Sequence, residues 1–534
     1  MMLLLLGACA TEPLDTALVP LSGPRLLRRM SLDLRGTLPS VAELDRAESA
    51  DEAEMQALRD ALLDDPAFEE RLVLKLAERW HTRVDDFLLK HVEYPELAAK
   101  ELEYPWERSV GEEPLRVMAH VVAEDRAWQE VVTGSTTMAS PEMMSSWPLE
   151  RLDDAEGWGE ARYLDGRPAA GVLATNGLWW RYYSTVSNYN RGRAAVIARL
   201  LLCEDFLARP VELSGQVALV DADGIQSALA NNPYCLGCHA ALDPMASALF
   251  GFWVANEYNA VEMESYHPER EQLGQTLIGH APGYYGLPVD GLGQLGEQIA
   301  ADPRFWRCAA ESFAGMYWAR EPGADDFERI DALRGALVAD GRVKPMLRVL
   351  TDGEVYRAGG HGPDADEAQL AAESTARLMD AVLYASVYED LAALRWVEGG
   401  ADQLDNDTTG FRVLGGGVDG NALTAVQATP SLTWVLTTQR AAEAAAAAVA
   451  ATLGTPDAPE RVFQHVDGGD VPGDAAFTAE LDALHWRLYA VRADAAWREE
   501  AGALWAEVAA TSDPETAWTA LLAAMFQDPL FVTY

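Results

Sequence analysis

In the run Cys235-Leu236-Gly237-Cys238-His239, two thiols stand three residues apart and an imidazole follows the second directly. On a single turn of backbone, that spacing lets both sulfurs add to two vinyl groups of one flat molecule. The imidazole can then reach a metal at the centre of the same molecule. This is the chemistry of covalent c-type haem attachment, with one haem c, Cys235 and Cys238 as thioether anchors and His239 as the proximal iron ligand. Asp243-Pro244 closes the segment. A nearby backbone carbonyl is expected to hold the other ring nitrogen of His239 and fix its tautomer. A zinc site would need a second Cys/His pair at ligand spacing, and a thioredoxin-like redox pair would need a βαβ setting. The sequence offers neither.

The opposite side of the iron decides what such a haem does. Methionine there gives an electron-transfer centre of raised potential, histidine a lower one, and an open position a haem that reacts with small molecules. Met316, beside Tyr317 and Trp318, is the first candidate. Met263, His267 and His280 lie nearer in sequence and remain alternatives, as does an empty position. Each also has an ordinary use, since methionine among aromatics fills cores and a loop histidine is commonly solvated.

Three of the five cysteines lie outside this motif. Leu6-Gly7-Ala8-Cys9 resembles a bacterial lipobox, although no basic residue precedes the apolar run. The resemblance implies lipidation of Cys9, export and a membrane anchor. Ala10 and Thr11 supply no retention aspartate, which points to the outer membrane, with the body on the periplasmic side or at the cell surface. Export agrees with haem loading on the exported side of a membrane. Cys203 and Cys308 remain, and in an oxidising compartment they are expected to pair as a disulfide; the alternative is two separate buried thiols.

Composition narrows the partners. The net charge is −43 over 534 residues, so the folded body repels nucleic acid and anionic lipid surfaces, and both are excluded as its partners. Negative charge near a haem also favours the ferric form. Other candidates for chemistry are thin. His81, His91 and His120 lack metal-ligand spacing, Gly415-Gly416-Gly417 lacks the strand–turn–helix setting of a phosphate loop, and no Gly-x-Ser-x-Gly elbow occurs.

The elements that must position the motif are mostly helical. Apolar periodicity predicts helices over 41–64, started by Ser40 with Glu43 three residues on, then 66–90, 113–132 and 191–208. A loop-rich stretch runs to 168, and Gly- and Pro-rich loops fill 265–290. Helices follow at 290–301, 303–320, 325–340, 366–395, 428–452, 474–490, 492–511 and 514–527. The alanine-rich run Ala441–Ala451 is too weakly apolar to span a membrane and reads as a tightly packed helix. The expected class is mostly α, with the haem segment in a Gly/Pro-rich loop and helix region. The expected division is 1–22 as signal and linker, 23–165 as a helical domain, 166–355 as a cytochrome c-like domain and 365–534 as a C-terminal helical domain.

Several segments together resemble the planctomycete-type cytochrome c proteins, exported multidomain proteins of unknown function. Arg28 to Pro39 match an Arg-Arg-x-x-Leu-Asp-Leu-x-Gly-x-x-Pro segment, and Cys235 to Pro244 match C-x-x-C-H-x-x-(Ile/Leu)-Asp-Pro. Asp290-Gly291, Asp302 to Phe305, Cys308 and Tyr317 to Arg320 match a third, and Arg191-Gly192-Arg193 with Leu201 to Cys203 match the helix before the haem segment. Gly415 to Asp419, Leu484-His485 and Asp528 to Phe531 resemble the C-terminal unit. The chain departs at Ala246, where the group has glycine, and at Phe250-Gly251-Phe252-Trp253. The resemblance implies a secreted haem protein that passes electrons to a redox protein. A peroxidase-like haem enzyme with an open distal site, or a surface binding lipoprotein, are the other classes compatible with the motif.

Overall fold

The structure, a computed structural model, describes residues 18–534 apart from 86, 88–93, 95–96, 98–101, 210–221, 255–261, 263, 364, 366–369, 371–374, 399–400 and 456–461. Cys9, His91 and Met263 therefore lie outside the described residues.

Helix α1 (Gly23–Leu34) starts with proline in its first turn and is buried along almost its whole length. It bridges two hydrophobic cores. Leu26, Leu27, Met30 and Leu34 enter the first core, and Leu32 enters the second. Its two neighbouring arginines, both fully buried, carry the joint. Arg28 donates to the carbonyls of Leu488, Phe531 and Thr533 at 3.0, 2.7 and 2.9 Å. Arg29 donates to those of Tyr356, Ala358, Thr375 and Tyr534 at 2.6–3.2 Å. A buried guanidinium is tolerable only when its fork is met by acceptors, and here backbone carbonyls from distant segments supply them.

Helices α2 (Val41–Ser49) and α3 (Glu52–Leu63) follow. The expected capping box is present: Glu43 N donates to Ser40 Oγ, and Ser40 N donates to Glu43 Oε2 at 2.7 Å. The single helix expected over 41–64 breaks because Asp51 caps a second one, accepting from Glu54 N at 2.9 Å. Helix α4 (Ala67–Trp80) ends ten residues before the expected end, at His81 in a left-handed conformation. Helix α5 (Glu103–Ala123) starts ten residues earlier than expected, with Pro105 tolerated in its first turn, and it packs on α4. The stretch expected to be loop holds a three-stranded antiparallel sheet, β2 (Thr137–Ala139), β4 (Gly159–Tyr163) and β3 (Leu149–Arg151) in that order; a short ribbon pairs β1 (Leu18–Pro20) with β7 (Ala358–His361).

Next come α6 (Arg191–Leu202), α7 (Ala222–Asn231) and α8 (Pro233–Ser247), a two-stranded turn of β5 (Gly283–Tyr284) and β6 (Leu287–Pro288), then α9 (Leu292–Ala301), α10 (Pro303–Trp318), α11 (Phe327–Asp340) and α12 (Val343–Asp352). Residues on both sides of position 165 build the first core: Leu115 and Val131 meet Leu173, Leu249 and Phe313 in one cluster. The second core belongs to α13 (Ala381–Ala392), α14 (Leu432–Ala450), α15 (Ala475–Tyr489), α16 (Ala495–Ala509) and α17 (Pro514–Met525). Ala441, Ala442, Ala445 and Ala446 are buried where α14 meets α17, because a methyl-sized face lets two helices approach closely. The chain is thus mostly helical, as its periodicity predicts. Among the described residues no helix is long and apolar enough to cross a membrane.

Candidate functional site

Within the expected loop and helix region, the C-x-x-C-H run lies wholly in helix, in the first half of α8. Asn232 caps the helix by accepting from Tyr234 N at 2.9 Å, and Pro233 fits the first turn, where no intrahelical donor is lost. Pro244 lies inside the helix and does not end it. The helix has two characters. From Leu242 to Ser247 it is largely buried in the first core, while Tyr234, Leu236, Gly237 and Ala240 face solvent. Cys235, Cys238 and His239 sit between these regimes, partly covered.

Helical spacing then does the local chemistry. Residues four apart share a face, so His239 meets Asp243, and Nδ1 of the imidazole stands 2.7 Å from Asp243 Oδ1. From sequence alone, a backbone carbonyl is the expected partner in this role. Inside a helix those carbonyls are engaged by amides four residues on, and the carboxylate takes their place. Asp243 is in turn gripped by Arg191, the first residue of α6, through Nε at 2.8 Å and Nη2 at 3.2 Å. Burial raises the Asp243 carboxyl, but the hydrogen bonds from His239 and Arg191 outweigh it and hold the carboxyl below its usual range. With Nδ1 committed to a carboxylate, Nε2 is the nitrogen left to act as a donor to a metal.

Helix α6 is itself held rigidly. Asn190, in a left-handed conformation before it, donates to Leu249 O at 3.1 Å. Arg193 is buried and donates to the carbonyls of Tyr182, Trp179 and Phe252 at 3.0, 3.2 and 2.7 Å. These bonds tie the segment before α6 to the turn that follows α8. At its other end α6 stops at Cys203, which forms a disulfide with Cys308 of α10. The bridge spans 105 residues and encloses the entire C-x-x-C-H segment. Cys235 and Cys238, by contrast, are unpaired thiols.

The residues present fit a covalently attached haem. Two free thiols lie on one helical turn, the adjacent imidazole has one nitrogen fixed and the other uncommitted, and a Cβ added at Gly237 would meet nothing within 4 Å, so there is room beside the motif. Among the described residues no group of three or more His, Cys, Asp and Glu side chains gathers as for a metal ion held by protein ligands alone.

The distal candidates are dispersed. Met316 is buried in α10 and lines two cavities, neither of which is lined by any residue of α8. Both ring nitrogens of His267 are occupied, by Glu269 at 3.2 Å and by the carbonyl of Glu262 at 3.0 Å. His280 is exposed, and its carbonyl accepts from Ser247 Oγ at 2.6 Å, which places it beside the end of α8. Asp243 and Arg191 are the site residues whose roles the sequence reading missed. The first had a signal in its four-residue spacing from His239; the second, 52 residues from its partner, had none. Compared with protein-family models, curated proteins and solved structures, the chain found no match.

Proposed function

We propose that this protein is an exported c-type cytochrome that transfers electrons through one covalently attached haem c. The observation that most supports the reading is the Arg191–Asp243–His239 chain of contacts beside two unpaired cysteines, in a molecule whose other described cysteines are joined. The Cys203–Cys308 disulfide favours an oxidising compartment, and so favours export. A haem bound here supplies one-electron redox chemistry.

The chain's own residues prepare that site. Cys235 and Cys238 offer sulfur anchors three residues apart on a helix. Asp243 orients the His239 ring, makes Nε2 the available donor and increases its basicity. Arg191 prevents Asp243 from being an isolated buried charge, so the carboxylate stays ionised and keeps its grip on Nδ1. The exposed Tyr234 and Leu236 leave the motif's edge open to a redox protein, the partner this reading requires. Cys9, outside the described residues, is the proposed lipid anchor. The resemblance to planctomycete-type cytochrome c proteins belongs to the same proposal and rests on the segments named above.

The test is a reduced-minus-oxidised optical spectrum of protein matured by a c-type haem-loading system on the exported side. A six-coordinate low-spin spectrum supports an electron carrier. A high-spin, five-coordinate spectrum would overturn that in favour of a reactive haem with an open distal side.

A further inference from the structure

Helix α6 reaches the haem segment with its first residue and a different place with its last turn. There Arg199 and Leu200 line a cavity of about 500 Å³, together with residues of α4, α10, the segments 376–380 and 424–428, and Tyr534. The size suits an organic molecule, not a lone water or ion. The segment 424–428 is largely exposed, so the cavity has a rim open to solvent.

Its cations differ in how they are committed. Lys75 and Arg377 both pair with the buried Asp33, Arg79 pairs with Glu321 at 2.6 Å, and Arg320 with Asp326 at 2.7 Å. Arg199 is different. Its hydrogen-bond partner is the Tyr182 hydroxyl at 3.2 Å, and among the described residues no carboxylate lies within ion-pair distance of it. Lys75 is more than nine-tenths buried and meets Asp33 at 3.3 Å and the Met316 carbonyl at 3.5 Å, two contacts for an ammonium with three donors. Asp205 and Asp380 also line the space and accept from Leu207 N and Leu383 N, whereas the Glu78 carboxylate faces it without a hydrogen bond or ion pair among the described residues. Loss of water there pushes its carboxyl up to about 7, so in mildly acidic solution it is largely uncharged and does not repel an anion. Between the polar groups the wall is apolar, with Leu200, Met316, Leu378 and Val426.

We propose that this cavity binds a small organic carboxylate, its charged end on Arg199 and Lys75 and its apolar body against Leu200, Met316 and Val426. The proposal does not rest on the haem reading: none of these residues belongs to α8, and Met316 enters it as part of the wall and not as an iron ligand. In a chain with net charge −43, a part-buried pocket carrying a guanidinium with no carboxylate partner is a place where a small anion gains contacts that the rest of the surface denies it.

Calorimetric titration of the whole chain with hexanoate at mildly acidic pH tests this, with hexan-1-ol and hexylammonium as controls. Hexanoate is expected to bind and both controls to bind far more weakly. Arg199→Gln should weaken hexanoate by about tenfold or more, the loss expected for a charged hydrogen bond. Arg199→Lys should restore part of it, and Ala425→Trp at the exposed rim should block it, which keeps the test decisive if Arg199→Gln does not fold. Absence of hexanoate binding, equal binding of hexylammonium, or unchanged binding in both Arg199→Gln and Ala425→Trp would overturn the proposal.

Discussion

Asp33 and Asp243 are both buried carboxylates held by arginine, yet they are finished differently. Asp33 is surrounded on every side: Lys75 at 3.3 Å, Arg377 in a short ion pair, Tyr356 Oη at 3.0 Å and Tyr534 Oη at 3.2 Å. Its partners come from α4 and from three segments more than 300 residues away, and every one points inward. Asp243 has two partners, Arg191 and His239, and the second of these has a nitrogen to spare. A saturated centre can only hold segments together. A centre that ends in a half-used imidazole has a nitrogen left that can hold a ligand, and the contrast separates the structural device from the candidate functional one.

Breaking the saturated centre should have the largest effect. Asp33→Ala strands Lys75 and Arg377 as buried, unpaired charges, for which a loss of about 3–5 kcal/mol is expected. Chemical denaturation should show it as a lower midpoint. Removing the Cys203–Cys308 bridge should cost about as much. A loop of this length contributes about 4–5 kcal/mol in the chain-entropy account, with about 2–5 kcal/mol typical of measured native bridges. Comparison of Cys203→Ser/Cys308→Ser with the parent chain, both unreduced, checks it.

A third carboxylate centre gives a smaller, pH-dependent effect. Asp85 accepts from Asp407 N at 2.8 Å, from Arg412 at 3.0 Å and from Arg108 at 3.2 Å. Burial, with Asp85 adjacent, pushes the Asp407 carboxyl up to about 7. An unfolded aspartate loses its proton near pH ~4. Between these values the folded chain therefore binds more protons than the unfolded one, and stability falls as pH rises through the window. Asp407→Asn should flatten that slope in denaturant midpoints measured across it. Smallest for stability is Asp243→Asn. It keeps the shape and removes the charge, so the fold should persist while the haem potential rises, because a neutral partner makes His239 a weaker donor. Potentiometric titration of the variant against the parent separates this from a merely structural role, which would move stability and leave the potential alone.

How legible each centre was follows from how local it is. The C-x-x-C-H chemistry is written in five consecutive residues. The Asp243 contact is written four residues further on, but only for a reader who already places the segment on a helix. Arg191 gives no such sign, since what pairs it with Asp243 is the docking of α6 on α8. Asp33 is visible in the sequence only within the Arg28 to Pro39 segment that carries the resemblance, and its four partners converge from separate parts of the chain. Helix positions were largely readable from periodicity. Their ends were misjudged where a side-chain cap such as Asp51, or a left-handed residue such as His81 or Cys203, stops a pattern that remains apolar. Met316 is the first distal candidate in the sequence, and three-dimensional packing places it on the wall of a cavity.

The central claim is that Cys235 and Cys238 are haem anchors, and intact mass measured under denaturing conditions tests it most directly. Protein passed through a c-type maturation system should carry the mass of one haem that survives unfolding, and the Cys235→Ala/Cys238→Ala variant should lack it. A parent chain that emerges without that added mass, from a system that loads a control cytochrome, would contradict the account.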